Sequence, residues 1–272
     1  MTRNVKIFAA IVLIGSLAYA GWHSFVRNSE IVPALVTPDM NVHLEFSGDL
    51  PSRLHRVSQD VPLQDRSGRP KLIALTFDDG PYPVFTPMLL DVLRDAHVPA
   101  TFFLIGKDAL EWPEITRRIE AEGNEIADHT YSHPNLDEEP DATVRTEILE
   151  GRDVLWRLSH DPGVRTLMRP PHGRYTERTL QVAQSLGYSV VLWTDDSGDW
   201  RSLTVNRIEH HLLTHATAPE IVLLHSGKLA TIEAMPTVIE HFERAGYRFV
   251  TVSELLRHVS QTELNHPLRR SV

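Results

Sequence analysis

An α/β fold built on a parallel sheet is the fold class that the 272-residue sequence predicts, and three observations support it. From Lys71 onward, short apolar runs typical of strands appear in series. Stretches of helical period separate most of these runs, and Gly187 and Gly246 follow two of the stretches where a left-handed residue commonly ends a helix. Alternating strands and helices imply a parallel sheet. Seven such units favour closure into a barrel, although periodicity alone does not exclude an open sheet.

Each predicted strand is an apolar run bounded by turn residues or helical stretches. The seven runs are Leu72–Phe77, Thr101–Ile105, Glu125–Ala127, Thr166–Met168, Tyr188–Trp193, Ile221–Leu224 and Arg248–Val252. Apolar stripes at helical spacing predict the intervening helices. One stripe comprises Met88, Leu89, Val92, Leu93 and Ala96, and another comprises Val144, Ile148 and Leu155 after a helix cap at Asp141.

The N-terminus carries an export pattern. Arg3 and Lys6 precede an uncharged apolar run from Ile7 to Ala20, and its end, Ala18-Tyr19-Ala20, fits the small-residue rule for signal cleavage. The uncharged stretch continues to Val26, so a retained membrane anchor of roughly 20 residues is the alternative to a cleaved signal. Both alternatives predict an exported protein that is secreted, periplasmic or anchored in the cell envelope.

The chain is predicted to contain four segments. Residues 1–26 form the signal peptide or membrane anchor, and residues 27–70 form a polar, proline-bearing linker with a short edge strand around Val42 to Phe46. Residues 71–260 form the α/β domain, and residues 261–272 form a C-terminal tail.

Composition excludes several kinds of function. The chain has no cysteine, which rules out disulfides, thiolate metal sites, a cysteine nucleophile and a lipidated cysteine anchor. Any metal must therefore be bound by histidine and carboxylate side chains. The net charge is −9 and the basic residues form no cluster, which argues against a nucleic-acid partner because phosphate binding requires concentrated positive charge.

Ionisable side chains collect at the C-terminal ends of five of the seven predicted strands. In chain order they are Asp78 and Asp79, then His129, then Arg169, then Asp195, Asp196 and Asp199, and finally His225. The C-terminal ends of parallel strands share one face of a barrel, where active sites are built from several loops. Turns also hold aspartate for ordinary reasons, so the whole set predicts a site and no single residue does.

Two carboxylates and two imidazoles in this set have the chemistry of a metal site. Asp78 and Asp79 are adjacent, so one can bind a metal while the other acts as a base; the alternative is a solvated Asp-Gly-Pro turn. His129 and His133 have a spacing that one helical turn brings together, and Pro134 marks a turn after them. Two histidines and one carboxylate leave a coordination position for water, which is typical of a catalytic site.

A second histidine pair, His211 and His215, has the same spacing but lies within a helical pattern, away from a strand end. We interpret it as a solvated or partly buried helix face. Short motifs recur by chance in a chain with 15 histidines, so the position relative to the strand ends distinguishes the two pairs.

Three further segments follow predicted strands. Arg169 begins the run Arg-Pro-Pro-His-Gly, which is either a stiff ligand-binding segment or a rigid connecting loop with a surface arginine. Asp199 precedes Trp200, whose indole either lines a sugar pocket or packs in the core. His225 ends a predicted buried strand and is either a catalytic residue or a packing residue. If it is catalytic, we expect it to lie across the site from Asp78.

Five segments, taken in order, resemble the polysaccharide deacetylase family, which includes chitin and peptidoglycan deacetylases. They are Thr76-Phe77-Asp78-Asp79-Gly80, His129-Thr130-Tyr131-Ser132-His133-Pro134, Arg169-Pro170-Pro171-His172-Gly173, Asp196-Ser197-Gly198-Asp199-Trp200 and Leu223-Leu224-His225. The resemblance extends from Lys71 to His258. It implies a distorted seven-stranded α/β barrel with one divalent metal ion, typically Zn²⁺ or Co²⁺.

The resemblance also implies a role for each matching residue. By role they are Asp79, His129 and His133 for the metal; Asp78 for the catalytic base, with Arg169 as its partner; His225 for the general acid, with Asp199 orienting it; and Pro171, His172, Gly173, Trp200 and Leu223 for substrate binding. Two positions depart from the family pattern. His172 stands where tyrosine is common and would offer its backbone N–H to the oxyanion, and Ser226 stands where aspartate is common and bears on how His225 is set.

The function implied is metal-dependent hydrolysis of N-acetyl groups on an N-acetylated glycan, either peptidoglycan or chitin-like. One alternative is hydrolysis of another amide or an ester, such as an O-acetyl group. Another is a sugar-binding module without activity, which we expect to lack a metal ligand or the base. An aspartyl phosphatase that used Asp78 as its nucleophile would leave the histidine pair unexplained.

Overall fold

The first strand, β1 (Leu72–Asp78), is buried along its whole length. Its run of Leu, Ile, Ala, Phe and Thr side chains is apolar on both faces, as expected for a parallel strand covered on both sides. This computed structural model describes residues 71–201 and 203–258. The predicted signal or anchor, the linker, the edge strand at 42–46 and the tail lie outside the described residues.

Seven parallel strands form one curled path, the half-barrel of a distorted (β/α) barrel, so the predicted fold class is confirmed. After β1 the strands are β2 (Thr101–Leu104), β3 (Glu125–Asp128), β4 (Leu167–Met168), β5 (Ser189–Val190), β6 (Asp195–Asp196), β7 (Glu220–His225) and β8 (Arg248–Phe249). Their order is β5-β4-β3-β2-β1-β7-β6, and β8 pairs with Leu72 and Ile73 of β1. Among the described strands, β5 and β6 are the unjoined ends of the path.

The fifth strand is shorter than the predicted Tyr188–Trp193, and Asp195 and Asp196 form a strand of their own instead of a loop. A side chain explains the change. Arg169 donates from Nε to the carbonyl of Val191 and from Nη2 to the carbonyl of Leu192, at 3.1 and 3.2 Å. Those carbonyls are therefore occupied where a longer strand would present them to a neighbour.

The helices pack on both faces of the sheet: most lie against the face that carries Ile73 and Leu75, and the last one contributes Val252 and Leu255 to the other face. They are α1 (Phe85–Ala96), α2 (Gly106–Glu111), α3 (Pro113–Ala121), α4 (Asp141–Ser159), α5 (Glu177–Ser185), α6 (Val205–His215), α7 (Leu229–Arg244) and α8 (Val252–His258). Leu89 and Leu93 of the first predicted stripe are fully buried in the main core cluster. Gly187 and Gly246 follow α5 and α7 with φ of 87° and 79°, as predicted for helix ends. Across residues 71–201 and 203–258, no helix combines the length and apolar character that crossing a membrane requires.

Asp141 is the first residue of α4, and Pro140 takes the capping position predicted for Asp141.

The C-terminal edge of the sheet is the part of the fold that brings the candidate functional residues together. Asp78, Asp128 and His225 are the last residues of β1, β3 and β7, and Met168 ends β4. Because these strands are parallel, the residues that follow them converge on one face, as the sequence predicts.

Candidate metal centre and active site

The two neighbouring aspartates at the end of β1 diverge because the backbone changes hand between them. Asp78 still belongs to the strand and is 4% exposed. Asp79 has a φ of 67°, in the left-handed region that disfavours residues with a Cβ, and its side chain is partly exposed. Two adjacent carboxylates can therefore serve different purposes, as predicted for this pair.

Asp79, His129 and His133 form one group that could hold a metal ion, with one ligand atom from each residue within 4.8 Å of the others. The carboxylate Oδ1 of Asp79 lies 3.3 Å from His133 Nε2 and 3.7 Å from His129 Nε2. The histidine pair meets by a different route from the helical turn that its spacing predicts. His129 follows β3, and His133 lies on the next loop, where Thr130 and His133 both have positive φ.

The donor set fits a divalent ion that prefers nitrogen and oxygen ligands. His129 Nδ1 lies 2.8 Å from the carbonyl oxygen of Arg169, which only accepts, so Nδ1 carries the proton and the lone pair of Nε2 faces Asp79. Burial lowers the pKa of His129 to about 3, although the Asp79 charge opposes this, so the ring is neutral as a metal ligand must be. Two imidazoles and a carboxylate with open positions are typical of catalytic Zn²⁺ sites.

A buried carboxyl group that sequence analysis missed supports the histidine loop. Asp128 Oδ1 accepts a hydrogen bond from the Thr130 backbone N–H at 2.8 Å, and Thr130 Oγ1 accepts one from the His133 N–H at 3.2 Å. A Cβ at Gly151 of α4 would lie 2.6 Å from Asp128 Oδ1, so the helix requires glycine there. The available signal was Gly151 itself, because glycine inside a helix costs about 1 kcal/mol relative to alanine.

Arg169 holds the other aspartate in place. Its guanidinium is fully buried and donates from Nη1 to Asp78 Oδ1 at 2.6 Å and to Thr76 Oγ1 at 2.8 Å. The alternative of a surface arginine is therefore wrong. Burial raises the pKa of Asp78, although Arg169 opposes this by favouring the charged form. The second oxygen, Oδ2, lies 3.8 Å from His129 Nε2 and so borders the metal group.

His225 ends β7 with a carboxylate partner. Asp199 Oδ1 lies 2.7 Å from His225 Nδ1, while its Oδ2 accepts from the His225 backbone N–H at 2.8 Å and from Thr231 Oγ1 at 2.7 Å. Burial acts to lower the pKa of His225, but the hydrogen bond and charge of Asp199, with the nearby charges of Asp78 and Asp79, raise it overall. Thr231 is a second residue that sequence analysis missed, because it lies in α7 with no motif around it.

His225 lies beside Asp78 and not across the site from it. The two residues are register partners on neighbouring parallel strands, so their side chains leave the same edge of the sheet. The sequence-based prediction failed here because the strand order is not the chain order. β7 pairs directly with β1 through a crossover that sequence periodicity does not reveal.

Left-handed residues concentrate around this site. Asp79, Thr130, His133 and His172 all have φ between 56° and 69°. The remaining described non-glycine residues with positive φ are the helix C-caps His97 and His160. Such conformations cost roughly 1–3 kcal/mol each and persist at functional sites, where the surrounding structure imposes them.

Known proteins with similar sequences identify the family. Residues 65–191 match the family model for polysaccharide deacetylases. A peptidoglycan-N-acetylglucosamine deacetylase of Bacillus cereus is 38% identical over 193 residues, which span 69% of this chain and 89% of that protein. The chain belongs to the polysaccharide deacetylase family.

Other members of the polysaccharide deacetylase family extend the comparison. A chitooligosaccharide deacetylase of Sinorhizobium fredii is 38% identical over 57% of this chain and 72% of its own length. The crystal structure of a peptidoglycan N-acetylglucosamine deacetylase with 4-naphthalen-1-yl-N-oxidanyl-benzamide superimposes with a TM-score of 0.67 and 34% identity, over 70% of this chain and 92% of that one. A Bacillus anthracis CE4 family pseudoenzyme superimposes with a TM-score of 0.65 and 25% identity, over 68% and 65%. Family membership alone therefore does not establish activity.

One of the positions predicted to bind substrate, His172, lies beside the metal group, and Gly173 follows it. His172 is exposed, has a φ of 56°, and holds its ring 4.6 Å from that of His133. Gly173 has a φ of 65°, but the Trp193 indole fills the space beside it, 2.6 Å from where a Cβ would lie. Glycine is therefore required here both by the backbone conformation and by the Trp193 indole.

The other positions predicted to bind substrate differ in accessibility. Trp200 is 48% exposed and donates from Nε1 to Asp196 Oδ1 at 3.3 Å, so the alternative of a core tryptophan is wrong. Pro171 and Leu223 are buried, so their side chains present little surface to a ligand. Ser226, the departure next to His225, is buried with its Oγ 3.5 Å from Thr86 Oγ1.

Proposed function

We propose that this chain is a metal-dependent hydrolase that removes N-acetyl groups from an N-acetylated glycan, peptidoglycan or chitin-like. The observation that carries the proposal is the convergence of three units at one edge of the sheet. These are the Asp79, His129 and His133 group, the buried Asp78–Arg169 pair, and the His225–Asp199 pair. Together they supply metal ligands, a base and an acid, which amide hydrolysis requires.

Asp79, His129 and His133 would hold one divalent ion, Zn²⁺ or Co²⁺. When bound, such an ion polarises a carbonyl oxygen and lowers the pKa of a coordinated water. His129 is already in the protonation state that a metal ligand needs. The Arg169 carbonyl fixes the His129 tautomer, and burial keeps the ring neutral.

Asp78 is suited to take the proton of the attacking water. Asp78 Oδ1 and Thr76 Oγ1 both accept from Nη1 of Arg169, so the carboxylate cannot rotate freely and Oδ2 stays turned towards the metal group. Arg169 also favours the charged form of the carboxylate, which is the form that accepts a proton. The cation stacks 4.1 Å from the Phe103 ring, a contact that helps to hold a buried charge.

His225 is suited to protonate the departing sugar amine, which is a poor leaving group without that proton. Asp199 accepts from Nδ1, so Nε2 is the nitrogen that faces the site, and the carboxylate stabilises the charged ring. The backbone N–H in the left-handed turn at His172 would hold the oxyanion, together with the metal. The exposed face of Trp200 would stack on a sugar ring.

The substrate class and the cellular location also belong to this proposal. Relatives named as deacetylases of peptidoglycan-N-acetylglucosamine and of chitooligosaccharides support an N-acetylglucosamine-containing glycan. The apolar N-terminal run at residues 7–20 supports export, with residues 1–26 as a cleaved signal or an anchor. Residues 71–260 would then form the catalytic domain outside the cytoplasm, between a linker at 27–70 and a tail at 261–272.

The test is acetate release from N-acetylglucosamine oligomers and from peptidoglycan. We expect release from at least one of them, loss of release on chelation, and recovery on addition of Zn²⁺ or Co²⁺. Release from an O-acetylated glycan alone would make the protein an esterase. Binding of glycan without release, in the metal-loaded protein, would make it a sugar-binding relative like an inactive family member.

A further inference from the structure

Beside the exposed tryptophan lies a cavity of about 360 Å³ that the proposed chemistry does not use. Its walls come from the loop at 196–201 and from one face of α6. Arg207, His210, His211 and His215 on α6 follow the spacing i, i+3, i+4 and i+8, which aligns their side chains along one stripe of the helix. Arg201 contributes from the loop, so five basic side chains border the cavity.

The two arginines of this cavity have no carboxylate partner among the described residues. Within residues 71–201 and 203–258, neither Arg201 nor Arg207 forms an ion pair, whereas Arg94, Arg174 and Arg244 each pair with a carboxylate. Both guanidinium groups are permanently charged. The two guanidinium groups can therefore pair with an anion supplied from outside.

The two carboxylates nearby already have partners. Asp195 Oδ1 lies 2.6 Å from His211 Nε2. Asp196 Oδ1 accepts hydrogen bonds from the Gly198 backbone N–H at 2.9 Å and from Trp200 Nε1 at 3.3 Å. Because both donors to Asp196 are neutral, the two arginines of the cavity wall face one carboxylate there and still outnumber it.

The cavity adjoins the proposed sugar wall through Arg201. Its guanidinium lies 4.5 Å from the centre of the Trp200 ring, and the same side chain lines the cavity. Asp196 also links the cavity to Trp200, because it lines the cavity and accepts a hydrogen bond from the Trp200 indole. A glycan stacked on Trp200 would therefore bring the substituents of a neighbouring sugar to the basic walls.

We propose that this cavity binds a carboxylate carried by the glycan, and so makes the enzyme prefer a carboxylate-bearing glycan, such as peptidoglycan, over a neutral N-acetylglucosamine oligomer. This inference rests on the proposed function and deepens it by naming the substrate class. Arginine forms two parallel hydrogen bonds with a carboxylate, and such charge-assisted bonds are roughly twice as strong as neutral ones. The carboxylate comes from an acidic substituent on the sugar or from an attached peptide.

The experiment compares kcat/KM for acetate release from two glycans of equal length, one neutral and one bearing carboxylates. The variants are Arg207→Gln, Arg207→Glu and Arg201→Gln, with Arg244→Gln on α7 as the matched control, since that exposed arginine lies outside the cavity. We expect Arg207→Gln to lower the ratio of carboxylated to neutral kcat/KM by about fivefold, mainly through KM, and Arg207→Glu to lower it further. Arg244→Gln should leave the ratio within about twofold of the parent.

Strands with and without stem peptides distinguish the two sources of the carboxylate. A loss confined to peptide-bearing strands would assign it to the peptide, and a loss on both would assign it to the sugar; either result supports the inference. Equal losses on neutral and carboxylated glycans, or no loss on either, would overturn it. If the parent releases acetate from neither glycan, the proposed function fails, and calorimetric binding of the same glycans to the same variants then decides this inference by itself.

Discussion

Two histidine pairs with identical spacing lie in different settings in this chain. His129 and His133 follow β3 on a left-handed loop, with their rings 4.8 Å apart and tilted by 60°. His211 and His215 lie on α6, with their rings 4.6 Å apart and nearly parallel at 19°. Each pair has an aspartate close by, Asp79 in the first case and Asp195 in the second.

The difference lies in where the lone pairs point. In the first pair both Nε2 atoms face the carboxylate of Asp79, and His129 Nδ1 is anchored to a backbone carbonyl. In the second pair His211 Nε2 already contacts Asp195 at 2.6 Å, and His215 Nδ1 lies 2.9 Å from the His211 carbonyl oxygen. One ion can be reached by both rings of the first pair, whereas the second pair is committed to bonds within the protein. Spacing alone cannot reveal this, because the backbone sets the direction of each ring.

The largest expected effect comes from the base beside the first pair. Asp78→Asn removes the proton acceptor and keeps the shape of the side chain, so we expect turnover to fall about 10²- to 10⁴-fold while the metal stays bound. The variant also leaves Arg169 buried without its counter-charge, which costs about 3–5 kcal/mol in comparable pairs. Acetate release, metal content and thermal unfolding are measured on the same sample.

Asp91→Asn is the control, because Asp91 makes ion pairs on the protein surface. It should retain activity within about twofold, since surface pairs contribute about 0–1 kcal/mol. Loss of metal from folded Asp78→Asn would mean that Asp78 and Asp79 have exchanged roles.

The next effect concerns the acid. His225→Ala should lower turnover by about 10²-fold or more without loss of metal. Because the pKa of His225 is raised, the parent should keep its protonated acid to a pH above the usual range for histidine, and activity should fall as the pH passes that value. Asp199→Asn removes the main group that raises the pKa, so the alkaline limb should move to lower pH. A pH–rate profile with an unmoved alkaline limb in Asp199→Asn would assign the proton to another group.

A smaller effect tests why the first pair converges on its loop. Asp128→Ala removes the acceptor for the Thr130 N–H and should weaken metal binding about tenfold, in the range seen when groups supporting metal ligands are removed. Asp128→Asn keeps an acceptor oxygen and should retain metal affinity close to that of the parent. Calorimetric titration with Zn²⁺ measures both. Equal weakening in the two variants would show that the hydrogen bond does not position the loop.

The smallest expected effect is on stability, and it concerns Glu220, which lies near Asp195, the partner of His211 in the second pair. Glu220 is buried in β7, and burial with the nearby Asp195 charge raises its pKa to about 8. The folded protein therefore binds a proton that the unfolded chain releases, so this group lowers stability increasingly as pH rises from about 4.5 towards 8. Glu220→Gln should raise the Tm by a few degrees at pH 8, since about 1 kcal/mol shifts it by roughly 2–4 °C, and change it little at pH 4. An equal rise at both pH values would exclude titration as the cause.

Sequence predicts the parts of this molecule that local pattern determines. The strand ends, the alternation and the motif residues Asp78, Asp79, His129, Arg169 and His225 are all visible in the chain, because buried strands are apolar and the polar residues after them stand out. The neighbouring positions of Asp78 and His225 were not predictable, since strand order arises from packing of distant segments. Asp128 and Thr231 were missed for a similar reason. Each acts through a hydrogen bond to a site loop, and neither sits in a motif that local chemistry marks.

The most direct test of the account is a Zn²⁺ titration of three proteins after removal of bound metal: the parent, His129→Ala and His211→Ala. The account predicts one tight site per chain in the parent and in His211→Ala, because Asp79, His129 and His133 are intact in both. His129→Ala should lose that site, since only two of the three ligand atoms remain. Tight binding of one ion by His129→Ala, together with its loss in His211→Ala, would contradict the account and move the metal to α6.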